Sequence, residues 1–269
     1  MCKDCGCSGH HHEHTHHHHG HDHAHTHDHA HGEHTHTRPD GTVYTHTHDE
    51  AETKQIAIGT AILSANDRVA AENRGWFRGR KITAFNLISS PGSGKTTLLV
   101  KTLEKLTAEG IRAAVIVGDQ YGDIDAKRMQ STGCAVTQIE THSSCHLDAA
   151  RVQSVLESAV PENTDILFIE NVGNLVCPVA FDLGENAKIA LLSTPEGEEK
   201  PLKYPALFAA AELVLVTKCD LEAALDWNYS LCLKNINQVN PDVQTMRIST
   251  KTEEGFSNWI EFLKNKINK

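Results

Sequence analysis

The stretch "NLISSPGSGKTTLL" (residues 86–99) joins an apolar strand to a helix through a turn rich in Gly and Ser. The backbone N–H groups of such a turn, together with the helix N-terminus, form a nest for phosphate oxygens. In the pattern G-x4-G-K-[ST], Lys95 reaches the β- and γ-phosphates and the Thr96 hydroxyl holds Mg²⁺. Ser89 stands where the strict pattern has Gly. We therefore predict a P-loop whose phosphate-binding residues are Pro91, Gly92, Ser93, Gly94, Lys95, Thr96 and Thr97.

Apolar runs alternate with helical or loop segments on both sides of this P-loop. One helix is predicted over 56–77, where apolar residues step by three and four, and another over 95–109. Near-continuous apolar strands separated by helices are typical of a parallel sheet that is covered on both faces. We therefore predict an α/β fold of the P-loop NTPase class, with a mostly parallel sheet. The predicted strands are 82–88, 112–118, 134–139, 165–170, 188–193, 212–217 and 243–248.

Composition divides the chain sharply near residue 53. Of 269 residues, 39% are hydrophobic, which is enough for one large α/β core or two small ones. Residues 1–53 hold eighteen of the twenty histidines and almost no aliphatic side chains. Such a segment buries too little apolar surface to offset its ordering entropy. We therefore predict a disordered Cys/His-rich tail over 1–53, followed by one P-loop domain over 54–269.

Charge and hydropathy exclude several classes of protein. The tail carries nine acids and two bases, a formal charge of −7, and the rest of the chain has 26 acids and 23 bases, or −3. No basic run points to nucleic acid, and no apolar run is long enough for a membrane span or a secretory signal. We expect a cytoplasmic protein whose eight cysteines are metal ligands or core thiols rather than disulfides.

The tail itself contains two kinds of metal ligand. It begins "MCKDCGC", and the thiolates of Cys2, Cys5 and Cys7 can wrap one thiophilic ion. The imidazoles that follow, interleaved with Asp, Thr and Ala as far as His48, are typical of a weaker reservoir for many ions. An engineered purification tag is the alternative, which this long interleaved pattern disfavours.

Further candidates for the nucleotide site follow other predicted strands. Asp119 ends "VIVGD" and is predicted to contact the Mg²⁺ shell, although an ordinary turn acid is the alternative. Glu170 ends the buried strand "DILFIE" as a Walker-B-like carboxylate. Gly173, three residues later, is placed to present an N–H to the γ-phosphate. Lys95, Thr96, Asp119 and Glu170 are the predicted catalytic residues, and the last three are the predicted Mg²⁺ ligands.

The predicted base-binding residues lie near the end of the chain. "LVLVTKCD" ends with Lys218 and Asp220 and resembles the guanine-reading N-K-x-D element, with Thr217 in place of Asn. An Asp carboxylate accepts two hydrogen bonds from guanine, and adenine offers no such pair of donors. Ser249 and Lys251 follow the last strand, where GTPases place a loop against the base.

A second metal site is predicted inside the domain. Cys145 stands beside His146, and Cys177 lies seven residues after Glu170. Thiolate and imidazole ligands suit Ni²⁺ or Zn²⁺ rather than Mg²⁺. One protomer offers these three ligands, or four with His142, and water or a second subunit completes the site. The alternative is that both cysteines are buried core thiols.

Four segments resemble HypB, the hydrogenase nickel-incorporation GTPase family, and the resemblance covers residues 54–269. The tail motif "CKDCGC" is also similar to the C-x-x-C-G-C nickel site of some members. The segments are "SANDRVAAENRGWF" (64–77), "NLISSPGSGKTTLL" (86–99), "IENVGNLVCPVAFDLGE" (169–185) and "EGEEKPLKYP" (196–205).

The resemblance implies a fold and a function. The fold is that of the GTPases that dimerise through nucleotide, a class that includes the urease accessory GTPases. Cys145, His146 and Cys177 correspond to the family's internal metal site, where two protomers share metal through their thiolates. The implied function is delivery of Ni²⁺ to the precursor of the [NiFe]-hydrogenase large subunit, together with a HypA-type nickel chaperone.

These observations favour a GTP-hydrolysing nickel metallochaperone that uses GTP, Mg²⁺ and Ni²⁺, or Zn²⁺ in place of nickel. Hydrolysis to GDP and phosphate is expected to be slow, with the GTP state controlling homodimer formation and metal release. One alternative is a nickel or zinc storage protein with a regulatory nucleotide site. Another is a urease-type accessory GTPase, which carries a Cys-Pro-His triplet where this chain has Cys177, Pro178 and Val179.

Overall fold

The computed structural model describes residues 34–37, 43–46, 48–119, 124–142 and 144–267. The chain divides into two compact units, Met1–Ile62 and Leu63–Lys269. The predicted boundary at residue 53 falls within the helix that crosses this division, α1 (His48–Arg80). Cys2, Cys5, Cys7 and the histidines before residue 34 lie outside the described residues.

The described part of the first unit contains a small hairpin. Strands β1 (His34–Thr37) and β2 (Val43–His46) pair antiparallel, with His34 opposite His46 and Thr37 opposite Val43. Alternating His and Thr residues gave no strand signal, and the hairpin was not predicted. Helix α1 also begins eight residues before the predicted start at 56, within the histidine-rich segment.

A seven-stranded parallel sheet forms the second unit, in the order β5-β4-β6-β3-β7-β8-β9. Each strand begins and ends within one residue of its predicted bounds, because every strand except β5 and β9 is almost wholly buried and therefore apolar. The predicted fold class is confirmed. The strands are β3 (Thr83–Ser89), β4 (Ala113–Asp119), β5 (Ala135–Glu140), β6 (Ile166–Glu170), β7 (Ala187–Ser193), β8 (Leu213–Thr217) and β9 (Gln244–Ile248).

Helices cover both faces of this sheet. They are α2 (Lys95–Ala108), α3 (Ile124–Gln130), α4 (Ala149–Ala159), α5 (Cys177–Ala180), α6 (Lys200–Lys203), α7 (Pro205–Ala210), α8 (Glu222–Leu225), α9 (Tyr229–Val239) and α10 (Phe256–Ile267). Helices α2 and α10 pack their apolar stripes against one face, where Phe85 and Leu87 of β3 point. The end of α1 and helix α4 pack on the other face, with Ala84. Helices α7 and α9 cover β7 and β8 on that face, beside Ile88. Among the described residues, no helix combines the length and apolar character needed to cross a membrane.

The second half of α1 is held closely against the segment between α5 and β7. A side chain on Gly184, whose φ is +91°, would place its Cβ 2.6 Å from the Ala70 carbonyl oxygen, so only Gly permits this approach. The buried Asn73 amide donates to the carbonyl oxygens of Leu183 (3.0 Å) and Ala149 (2.9 Å). Helix α1 is thereby joined to the first residue of α4.

Candidate functional site

The predicted P-loop is a tight turn between β3 and α2. Gly92 (φ 73°) and Gly94 (φ 97°) adopt left-handed conformations that L-residues with a Cβ rarely adopt. Helix α2 begins at Lys95, so the N–H groups of its first turn, which have no partner within the helix, face the P-loop turn. The turn forms one wall of a cavity of about 560 Å³. The other lining residues are Val117, Gly118, Asp119, Asp125, Arg128, Glu170, Asn171, Val172, Gly173 and Lys218.

Ser89, which stands where the strict motif has Gly, contacts the P-loop lysine, Lys95. The buried Lys95 ammonium donates to the Ser89 hydroxyl oxygen at 2.8 Å, and the Ser89 and Ser93 hydroxyls are also hydrogen-bonded. Burial lowers the pKa of Lys95, while the negative charge of Glu170 acts in the opposite direction. A serine at this position therefore gives the buried ammonium a polar partner that Gly could not supply.

Glu170 places a buried carboxylate beside the start of α2. Its Oε1 accepts a hydrogen bond from the Thr96 hydroxyl at 2.9 Å, and its buried Oε2 has no hydrogen-bond partner among the described residues. Burial raises the pKa of Glu170 to about 7, an effect opposed by the Lys95 ammonium and the Thr96 hydrogen bond. An unsatisfied carboxylate oxygen next to a hydroxyl fits the oxygen ligands that Mg²⁺ prefers. Asp119 lines the same cavity.

The predicted base-binding residues form a separate group at the ends of β8 and β9. Ser249 donates its hydroxyl hydrogen to Asp220 Oδ1 at 2.6 Å, and the Lys251 N–H donates to the Ser249 oxygen at 3.1 Å. The structure thus brings Asp220, Ser249 and Lys251 together, although none of them lines the 560 Å³ cavity. Lys218 does line it and donates to the Gly92 carbonyl oxygen at 2.7 Å.

Thr217, the departure from the N-K-x-D pattern, has a defined contact. Its buried hydroxyl donates to the Ser93 carbonyl oxygen at 2.8 Å. This hydrogen bond joins the end of β8 to the P-loop, so it fixes the predicted base-binding residues relative to the predicted phosphate-binding turn.

The predicted internal metal ligands form a compact cluster. One ligand atom each from Cys145, His146 and Cys177 lies within 4.8 Å of the others, and Cys145 Sγ is 3.6 Å from His146 Nδ1. His146 and Cys177 are buried, and Cys145 is half-buried. Two sulfurs and an imidazole nitrogen at this spacing fit a soft or borderline cation. His142 is not part of this group, and its Nδ1 lies 4.0 Å from a Glu140 carboxylate oxygen.

Several cavity residues were not predicted from the sequence. Asp125 and Arg128 reach the cavity from α3, and Arg128 Nη1 lies 3.6 Å from Asp125 Oδ1. Their only sequence signal is an i,i+3 acid–base pair, which is equally typical of a solvated helix face. Asn171 was also missed, because a lone amide after a strand gives no signal by itself.

Comparison with known proteins agrees with this geometry. Residues 83–247 match the family model of the CobW/HypB/UreG nucleotide-binding domain. The chain is 49% identical over 214 residues to the hydrogenase maturation factor HypB of Rhizobium leguminosarum bv. viciae, covering 78% of this chain and 71% of the relative. It is 43% identical over 223 residues to HypB of Escherichia coli strain K12, covering 83% and 77%.

The chain belongs to the HypB family. Among solved structures, HypB from Helicobacter pylori in complex with nickel is 34% identical, with a TM-score of 0.71, covering 76% of this chain and 95% of that one. HypB from Archaeoglobus fulgidus is likewise 34% identical, with a TM-score of 0.71, covering 76% and 99%. The resemblance stated from the sequence motifs is therefore confirmed.

The hydrogen bond from Thr217 to Ser93 yields a prediction. Thr217→Val keeps the shape and removes the hydroxyl, so we expect GDP binding to weaken about 2- to 12-fold, which corresponds to the loss of one hydrogen bond worth roughly 0.5–1.5 kcal/mol. Isothermal titration calorimetry with GDP and Mg²⁺ measures the effect. Thr245→Val on β9 is the matched control, because the Thr245 hydroxyl is buried and has no hydrogen-bond partner among the described residues. Equal affinities for Thr217→Val and the unaltered chain would contradict the prediction.

Proposed function

We propose that the chain is a GTP-hydrolysing nickel metallochaperone of the cytoplasm that serves [NiFe]-hydrogenase maturation. The main support for this proposal is the loop that follows β6. Residues 170–177 begin with the carboxylate that contacts Thr96 and end with the thiol of the metal cluster. The chain's relatives are named hydrogenase maturation factors, and one solved relative is described in complex with nickel. Nickel is the cargo in this proposal, and GTP is the substrate.

The choice of GTP rests on Asp220. Its carboxylate is held by the Ser249 hydroxyl through Oδ1 at the end of β8. A fixed carboxylate accepts the two N–H hydrogen bonds that guanine offers, and an adenine in the same place would leave it unpaired. The Thr217–Ser93 hydrogen bond sets the spacing between this carboxylate and the P-loop.

Hydrolysis is in-line attack by water on the γ-phosphate. Lys95 and the N–H groups at the start of α2 bind the phosphate oxygens and stabilise charge on the transferring group. Thr96 and Glu170, with Asp119 at the same wall, would hold Mg²⁺, which when bound neutralises charge on the β- and γ-phosphates. With these groups alone the reaction is slow and acts as a switch.

Removing one charge from this site tests the hydrolysis step. In Glu170→Gln the amide oxygen can still accept the hydrogen bond from the Thr96 hydroxyl, but the negatively charged ligand for Mg²⁺ is lost. We expect Mg²⁺-dependent phosphate release from GTP to fall at least about 100-fold, as for loss of one charge-stabilising group in an active site. Glu253→Gln is the control, because Glu253 is exposed and pairs with Lys101 and Lys105 at 2.8 Å, away from the cavity. Unchanged phosphate release in Glu170→Gln would rule out this role.

The same loop provides the link between GTP and metal. Gly173 lies directly on the P-loop, since a Cβ there would be 3.0 Å from Pro91 Cγ and 3.1 Å from Pro91 N. Loss of the γ-phosphate releases this loop, moves the Cys177 thiolate and loosens the metal. In the GTP state two protomers associate and share metal through their cluster thiolates. A HypA-type chaperone and the hydrogenase large-subunit precursor are the proposed partners.

This switch predicts that nickel binds the cluster more tightly with a GTP analogue than with GDP, by about 5- to 150-fold, the usual range of coupling between two sites. The measurement uses the full chain with Cys2, Cys5 and Cys7 changed to Ser. Thiolate-to-nickel charge-transfer absorption then reports the internal site without the tail thiolates. Cys145→Ala in this background leaves Cys177 as the one cluster thiolate and should sharply weaken the signal. Equal nickel affinities with both nucleotides would remove the switch.

The histidine-rich tail favours a second candidate function, nickel or zinc storage. Eighteen imidazoles are far more ligands than delivery of one ion requires. Deletion of residues 8–48 separates the two functions. If the chain delivers nickel, hydrogenase activity in cells supplied with ample nickel should survive the deletion, while the number of ions bound per chain falls. Loss of hydrogenase activity at ample nickel would instead make the tail part of delivery.

A further inference from the structure

Asn171 is a buried amide at the junction of the nucleotide cavity and the metal cluster. It follows Glu170, lines the cavity and is 1% exposed. Its Oδ1 accepts two backbone hydrogen bonds, from the N–H of Leu147 at 3.1 Å and from the N–H of Val172 at 3.0 Å. Because Oδ1 accepts both, the amide has one orientation, with Nδ2 on the opposite side.

Leu147, whose N–H donates one of these hydrogen bonds, directly follows His146 of the cluster. Its side chain is fully buried and lies on Gly118, since a Cβ on Gly118 would be 2.6 Å from Leu147 Cγ. Gly118 also lines the nucleotide cavity. Two cavity residues therefore hold Leu147 in place. Asn171 binds the Leu147 backbone N–H, and Gly118 packs against the Leu147 side chain.

The other side of Asn171 is anchored in the sheet. Its Nδ2 donates to Asn86 Oδ1 at 3.3 Å, and Asn86 Nδ2 donates to Glu185 Oε1 at 3.2 Å. Glu185 in turn accepts the Leu183 N–H at 2.6 Å. Asn86 is completely buried and belongs to β3, the strand that leads into the P-loop. A chain of amides thus runs from the base of the P-loop to the residue beside His146.

We infer that Asn171 is a positioning residue that transmits the nucleotide state to the metal cluster. When the loop after β6 moves with the γ-phosphate, the side-chain Oδ1 of Asn171 moves the Leu147 N–H that it binds, and the adjacent His146 moves with Leu147. The inference rests on the proposed function, in which nucleotide changes nickel affinity, and adds the residue that carries the change. A buried amide with two N–H donors on one oxygen suits this role because it holds position without charge.

Asn171→Ser tests the inference in the full chain with Cys2, Cys5 and Cys7 changed to Ser. Serine is too short to reach Leu147, so the ratio of nickel affinities with GTP analogue and with GDP should fall from the 5- to 150-fold range to within about twofold of unity. Because Asn171 lines the nucleotide cavity, both nickel affinities are measured at saturating nucleotide, so that a change in nucleotide affinity does not alter the ratio. Asn73→Ser is the matched control, because Asn73 is as deeply buried and makes two hydrogen bonds but does not line the cavity. The control should be destabilised yet keep the ratio.

The outcomes separate the two proposals. A ratio near unity in the unaltered chain would refute the nucleotide switch itself. A ratio kept in Asn171→Ser would overturn only the role of Asn171 and would favour the alternative route, in which the Asn174 amide donates to the Cys145 carbonyl oxygen at 3.3 Å. Equal loss in Asn171→Ser and Asn73→Ser would also overturn the inference, because general destabilisation would then explain both.

A measurement on the unaltered chain keeps the inference testable if Asn171→Ser does not fold. The Leu147 and Val172 N–H groups both donate to Asn171 Oδ1. In residue-resolved amide hydrogen exchange, the exchange rate of each of these two groups should differ between the GTP-analogue state and the GDP state. The Ala149 N–H, which donates to Asn66 Oδ1 at 2.9 Å, is the internal reference and should not respond. Identical Leu147 exchange in both nucleotide states would overturn the inference.

Discussion

The parallel pairing of β3 with β6 determines the rest of the site. In this register Leu87 lies opposite Glu170, so the P-loop that follows β3 and the loop that follows β6 start from the same edge of the sheet. Glu170 can therefore reach the Thr96 hydroxyl across 74 positions of sequence. A one-residue slip would turn alternate side chains to the other face and separate these groups. Both strands are buried at every position, so such a slip would require both faces of the sheet to repack.

The pairing also brings two opposite charges into the interior. The Lys95 ammonium and the Glu170 carboxylate are both buried, and burial acts against the charged form of each, lowering one pKa and raising the other. Each group partly offsets the other's burial, and Ser89 and Thr96 add one hydrogen bond apiece. A buried cation suits phosphate oxygens and a buried anion suits a metal ion, so this pair of charges supports the proposed binding of a metal–phosphate ligand.

The sequence predicts the sheet closely because the strands read as apolar runs interrupted by turn residues. The P-loop residues, Asp119, Glu170, Gly173 and Lys218 line one cavity, since parallel strands end at a common edge. The roles of Asn171 and Asn86 were not predictable, because a buried amide is defined by partners such as Leu147 and Glu185 that are distant in sequence. Asp125 and Arg128 were missed for a related reason. The helical period does not tell which side of α3 faces the cavity rather than solvent.

In the proposed function, residues 170–177 connect the nucleotide cavity to the cluster of Cys145, His146 and Cys177. Coupling between two binding sites is reciprocal, so a nucleotide that changes nickel affinity requires nickel to change nucleotide affinity by the same factor. The most direct measurement is the affinity for a GTP analogue and for GDP with and without nickel, in the full chain with the three tail cysteines changed to Ser. We predict that nickel strengthens binding of the GTP analogue relative to GDP, and that Cys145→Ala removes this effect. Nucleotide affinities that do not respond to nickel would contradict the account.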